Sequence, residues 1–273
     1  MSDMPTENSA GAHEHFPRWA KRILAHHRGN ELYQTATMDA LLAGVYDGDV
    51  TIGELLSHGD FGLGTFNRLD GEMVILDGVC HHLRSDGSAV TAGAEERTPF
   101  AAVTWFRSDR TLTVSAPATW SEITARVDTV TGSTNLIYAL KITGRFDTIR
   151  TRTVRAQTRP YPRLVDATEG QAETSFADLG GTLIGFRMPD SDEGISVAGY
   201  HLHFLDEAQG RGGHCLEFQM SRGTVDICTI ADMHLSLPRT PQFLNAALDS
   251  ADTAAQIRKT EGGHQPAQPA EGE

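Results

Sequence analysis

Two histidines separated by a single residue stand in Gly199-Tyr200-His201-Leu202-His203-Phe204, and Gly212-Gly213-His214 follows after a glycine-rich loop. Side chains two apart on a strand point the same way and lie ~7 Å apart, a span that one metal ion bridges. The glycines of the Asp206 to Gly213 loop return the chain. His214, opening the next strand, can therefore bring a third imidazole alongside the first two. Three neutral nitrogens suit zinc and leave a position for a substrate. They also suit Fe, Ni, Cu or Mn, so the ligand set does not name the metal.

A His-x-His pair alone is equally compatible with an ordinary strand; the third histidine makes it a candidate site. Gly194 before the pair and Glu207 four residues after His203 also imitate the first metal motif of cupins. A cupin would place its next histidine on a distant strand after a Pro-x-Gly turn. His214 lies only eleven residues beyond His203, and nothing of the Pro-x-Gly form precedes His234. A cupin-like metal-dependent dioxygenase or isomerase is one alternative reading, and a metabolite-binding homologue without turnover is another. Val79-Cys80-His81-His82 offers further metal-type side chains, to be weighed against buried packing.

The elements that must carry these residues are legible in outline. Thr37 to Val45 and Thr51 to Ser57 read as helices, the second opening on a Thr51/Glu54 capping box. Gly71 to Leu76, Ala101 to Phe106 and Thr111 to Ser115 read as strands. Thr119 to Thr129 is a second capped helix, and Asn135 to Ile142 with Thr148 to Val154 reads as a hairpin over Gly144. Pro160-Tyr161-Pro162 breaks regular structure and Asp166 to Asp178 reads as a surface helix or connector, which places a subdomain boundary there. Gly181 to Arg187, Ile195 to Leu205, His214 to Ser221 and Thr224 to Ile230 are closely spaced strands that favour antiparallel pairing. Pro241 to Leu248 and Asp252 to Thr260 read as late helices. The expected divisions are a polar extension over 1–30, with a short amphipathic stretch at Phe16 to Leu24, subdomains over 31–165 and 166–262, and a loose tail over 263–273.

A net charge of −13 and a pI near 5.3 set up repulsion toward polyanions, so nucleic acid is excluded as a partner. No apolar run approaches the ~18 residues a membrane span needs, and residues 1–30 lack a signal-type apolar stretch, so a cytoplasmic protein is expected. Cys80, Cys215 and Cys228 show no CxxC spacing and are expected to be reduced and buried.

A second stretch carries a resemblance. His58-Gly59-Asp60-Phe61-Gly62-Leu63-Gly64-Thr65-Phe66-Asn67 is followed by Leu69-Asp70-Gly71-Glu72, Asp77-Gly78 and Arg84-Ser85-Asp86-Gly87-Ser88. These motifs, in order with the His-x-His and Gly-Gly-His elements over roughly residues 34 to 262, closely resemble the alpha-acetolactate decarboxylase family. The resemblance implies an α/β fold of α+β character. Its two packed subdomains are each built around a mixed or antiparallel β-sheet, with the metal site in the C-terminal subdomain near their interface, and the enzyme is a homodimer. It implies zinc on His201, His203 and His214, glutamates nearby at Glu72 and Glu261, an arginine at Arg152, and a pocket threonine at Thr65. The implied reaction takes 2-acetolactate to acetoin and CO2 through an enediolate. Val79-Cys80-His81-His82 departs from the family pattern, which calls for aromatic and amide residues there.

The chemistry agrees with this set. Acetolactate has a ketone beta to its carboxylate, so loss of CO2 drives electrons onto the ketone oxygen and a cation must receive them. The guanidinium of Arg152 can pair with carboxylate or enediolate oxygens through two parallel hydrogen bonds. Glu261 serves only if the last helix folds back over the histidines.

Overall fold

The computed structural model describes residues 30–248 and 253–261. Along the chain run β1 (Glu31–Thr35), α1 (Met38–Leu42), β2 (Val50–Thr51), α2 (Ile52–Leu55), β3 (Phe61–Thr65), β4 (Glu72–Leu76), β5 (Val79–Leu83), β6 (Ala89–Thr91), β7 (Arg97–Thr98) and β8 (Phe100–Thr104). Then come β9 (Arg110–Val114), β10 (Ala118–Thr119), α3 (Trp120–Thr131), β11 (Ile137–Thr153), α4 (Leu164–Ala167), β12 (Ala172–Met188), β13 (Gly199–Asp206), β14 (Gly212–Ile230), β15 (Asp232–Ser236), α5 (Pro241–Leu244) and α6 (Thr253–Glu261).

Seven strands form a first sheet in the order β15-β1-β8-β3-β4-β5-β6, with β1 and β15 parallel and the other pairs antiparallel. The second sheet runs β10-β14-β11-β12-β13 with β9 also on β14. Because β13 pairs with β14 as well as with β12, the strands β14, β11, β12 and β13 close into a ring. Val74 and Leu83 of the first sheet meet Ile184 and Phe186 of the second in one apolar layer. A separate layer fills the other face of the second sheet, where Leu140, Phe146, Leu202, Phe204 and Phe218 pack under Trp120, Ile123 and Val127 of α3. Covering on both faces explains why Ile137 to Leu140 is buried without alternation.

Several sequence expectations are corrected. The hairpin over Gly144 is instead one continuous strand of 17 residues. Gly144 stands in register with Gly181 on one side and Gly223 on the other. A Cβ on Gly144 would lie 2.2 Å from the Arg222 carbonyl oxygen, so this glycine permits close approach of strands rather than a reversal. The register shifts after Arg145 and Phe146 bend β11 there. His214 to Ser221 and Thr224 to Ile230 likewise join as β14, which passes through Gly223 without turning. In the Asp166 to Asp178 connector, helix stops at Ala167 and strand begins at Ala172. Exposed and half-buried residues alternate over its first residues, a period hidden by polar composition. Residue 165 does not divide the sheets, since β9, β10 and β11 belong to the second sheet and β15 returns to the first.

The helix starts agree better. Thr119 closes both bonds of its capping box with Glu122. Thr51 accepts from the Glu54 N–H, one of the two bonds of the box read there. The helices α1, α2 and α5 are shorter than expected. The N-terminal extension, its amphipathic stretch, Asp252 and the 263–273 tail lie outside the described residues. No helix among the described residues is long and apolar enough to cross a membrane.

Candidate metal centre

On β13, Leu202 and Phe204 enter the layer under α3, so the strand period turns His201 and His203 toward the first sheet. His203 stands directly opposite His214 across the β13/β14 pair, and His214 directly opposite Arg152 across β14/β11. Three neighbouring strands therefore set His203, His214 and Arg152 in one row, and the short return between β13 and β14 makes the first step of it. The histidine on the distant strand that a cupin requires is not what completes the set.

One ligand atom from each of His201, His203 and His214 lies within 4.8 Å of the other two. Two of the rings have their orientation set from behind. His203 donates through Nδ1–H to the Met73 carbonyl oxygen at 2.8 Å, which leaves Nε2 as its free lone pair, 3.2 Å from His201 Nε2. His214 donates through Nε2–H to the Glu261 carbonyl oxygen at 3.1 Å, which leaves Nδ1 inward. Hydrogen bonding of the far nitrogen in this way fixes tautomer and ring angle at metal sites. Burial, and then the Arg152 charge, lower the pKa of His201 to about 3. Burial, and then the His201 ring, do the same for His203. His214 is also held well below the ordinary histidine range by burial and Arg152. The three imidazoles are thus neutral ligands without acquiring a proton to shed. Their donor set and convergence fit a divalent ion such as zinc.

The remaining predicted residues gather around this focus. Glu72, opening β4, reaches His203 Nε2 at 3.6 Å. Burial pushes its pKa up to about 8, against the lowering pull of Arg152 and the Val154 backbone N–H. Glu261, the last residue of α6, places Oε2 3.6 Å from His201 Nε2, 3.6 Å from His214 Nδ1 and 3.3 Å from Arg152 Nη2. The last helix therefore does fold back, anchored by buried Ile257 and Thr260. Arg152, only 4% exposed, also bonds Gln171 Oε1 at 3.3 Å through Nη1, and its Nε has no partner among the described residues. Thr65 sits opposite Glu72 across β3/β4 and donates to the Gly71 carbonyl oxygen at 2.6 Å.

A pocket enclosing about 410 Å³ of empty space, part of it open to solvent, is lined by Thr65, Glu72, Arg152, His201, His203 and Glu261. Its other side is apolar, with Met38 and Leu41 from α1, Phe100 from β8 and Leu164 from α4. Sequence reasoning missed Gln171, the Met73 carbonyl and this apolar wall. The capped helix at Thr37 was a usable signal for Met38 and Leu41, whereas nothing local marks Gln171. Cys80, Cys215 and Cys228 are free and buried. Cys80, His81 and His82 do not converge on a shared point; among the described residues the metal-capable cluster is the three-histidine one.

Comparison with known proteins follows this geometry closely. Residues 32–250 match the family described as alpha-acetolactate decarboxylase. The chain is 46% identical over 222 residues to the alpha-acetolactate decarboxylase of Methylococcus capsulatus, covering 81% of this chain and 85% of that one. It is 42% identical over 233 residues to that of Bacillus subtilis, covering 85% and 91%. A crystal structure of the Bacillus subtilis strain 168 protein superposes with a TM-score of 0.84 over 85% of this chain and 100% of the other, at 42% identity. With that extent of match in both sequence and fold, the chain belongs to the alpha-acetolactate decarboxylase family.

Proposed function

We propose that this protein decarboxylates 2-acetolactate to acetoin and CO2 with a zinc ion held by His201, His203 and His214. The observation that carries the reading is the convergence of three neutral imidazoles, one buried guanidinium and two carboxylates on one focus at the edge of the pocket. A bound divalent cation supplies a Lewis acid where negative charge develops.

The chain's own groups do the rest. As the bond to CO2 breaks, its electron pair moves toward the ketone carbon and oxygen, leaving an enediolate that takes up one proton at carbon. Arg152, held from two sides by Glu261 and Gln171, presents its guanidinium to the substrate carboxylate and then to the enediolate oxygens. Glu261 sits beside both Arg152 and two imidazoles, placed to pass to the enediolate carbon a proton taken up from solvent. Glu72 flanks the imidazoles from the opposite sheet, where burial favours its protonated form. Thr65 and the apolar wall of Met38, Leu41 and Phe100 line the space for the methyl groups. On the family resemblance the reading extends to a homodimer.

The test is acetoin formation from acetolactate by the full chain as purified, after chelation, and after zinc is restored. Activity should vanish on chelation and return with zinc. Full turnover by the metal-free protein would overturn the metal's role. Binding of acetolactate without CO2 release by the zinc-loaded protein would make it a non-catalytic homologue.

A further inference from the structure

The chain enters β4 through a kink in which Arg68 (φ 68°), Leu69 (φ 55°) and Gly71 (φ 78°) all take left-handed backbone conformations. Such a segment persists only if its surroundings hold it. Here two consecutive carbonyls are each gripped by a side chain from a neighbouring strand. Thr65 of β3 donates to the Gly71 oxygen, and His82 of β5 donates through Nε2–H to the Asp70 oxygen at 2.6 Å. Glu72 is the next residue along.

The His82 ring is itself confined by stacking and burial. It stacks on Phe66 with centroids 4.0 Å apart and planes 25° from parallel. Its side chain is 7% exposed, and Nδ1 lies 3.5 Å from Glu96 Oε2. The other Glu96 oxygen accepts the Gly93 N–H at 2.6 Å. Met73 stands opposite His82 across β4/β5 and packs in the layer on the outer face of the first sheet, away from the imidazoles. His82 therefore reaches the pocket only through the backbone it holds.

We propose that His82, backed by Glu96, is a positioning residue that locks the Asp70-Gly71 turn and so sets the angle at which Glu72 faces His203. This rests on the decarboxylase reading of the pocket and gives the Cys80-His81-His82 motif a part in it. A ring bonded through Nε2, stacked on one face and buried holds its acceptor more tightly than a rotatable chain does.

The test compares His82→Leu, which keeps bulk without a donor, with His82→Gln, which keeps an N–H donor at similar reach, in the zinc-loaded full chain. His82→Leu should lower kcat at least about tenfold with KM within about twofold and zinc content unchanged, and His82→Gln should recover to within about threefold. Amide exchange at Gly71 to Met73 should quicken about tenfold in His82→Leu and return in His82→Gln. Should His82→Leu not fold, Glu96→Gln, altering a half-exposed side chain, carries the test with an expected loss of about threefold in kcat. A kcat unchanged in His82→Leu, or in Glu96→Gln where that variant carries the test, overturns the proposal, as does His82→Gln being as slow as His82→Leu. If the wild-type protein forms no acetoin, the decarboxylase reading has failed, while unchanged exchange in His82→Leu would overturn the hold on the turn by itself.

Discussion

Replacing His203 by alanine tests the metal centre most directly. The ring is 1% exposed, bonded behind to the Met73 carbonyl and set in front 3.2 Å from His201 Nε2. Without metal, truncation removes the bond to that carbonyl, worth about 0.5–1.5 kcal/mol. With metal the difference grows, because an ion that binds only the folded chain stabilises it by about 2.7 kcal/mol at a hundredfold excess over Kd. For a chain of this size each kcal/mol moves Tm by about 2–4 °C, so zinc should raise the wild-type Tm by about 5–10 °C. His203→Ala should shift by less than about 2 °C under the same zinc, since two imidazoles cannot hold the ion at that concentration. The assay is calorimetric melting of chelator-treated protein against added zinc, with bound metal counted by elemental analysis. His234→Ala is the control, since that exposed ring stacks on Tyr33, away from the centre, and should leave the shift intact. A full zinc shift in His203→Ala, or its loss in His234→Ala, would refute the reasoning.

Two other outcomes follow. Arg152→Lys keeps a positive charge but loses the planar fork that bonds Glu261 and Gln171. Its kcat/KM for acetolactate should fall at least about tenfold, equivalent to ~1.4 kcal/mol, and a value unchanged in steady-state assays would remove Arg152 from substrate binding. The pH dependence of the metal-free protein is set by imidazoles whose folded pKa is depressed, to about 3 for His201 and His203. Below the ordinary histidine value near 6.5 the unfolded chain binds protons that the folded chain refuses, so their contribution is present above about pH 6.5 and is lost as pH falls toward 3. Glu72, raised to about 8, acts in the opposite sense, with its contribution present below about pH 4.5 and lost as pH rises to 8. In urea titrations between pH 4.5 and 6.5, His203→Ala should reduce the rise of stability with pH by about one proton, or ~1.4 kcal/mol per pH unit. An unchanged slope would show that His203 is not held neutral.

Spacing along the chain was enough to find the imidazoles, because a period of two and a short glycine return are local facts. His201 and His203 had to share a face, and His214 had to come back within reach of them. The helix caps at Thr51 and Thr119 were legible for the same reason. Arg152, Glu72 and Glu261 came from resemblance, since nothing in Arg150-Thr151-Arg152 distinguishes a buried guanidinium from its solvated neighbours. Tertiary structure decided those. Arg152 is buried because β11 runs unbroken past Gly144 and brings it opposite His214, and Glu261 arrives because α6 docks on Ile257. Continuity of β11 and β14 was invisible because Gly144 and Gly223 read locally as turns. Only their register with each other, across strands far apart in the chain, shows that a missing Cβ there admits a neighbouring backbone.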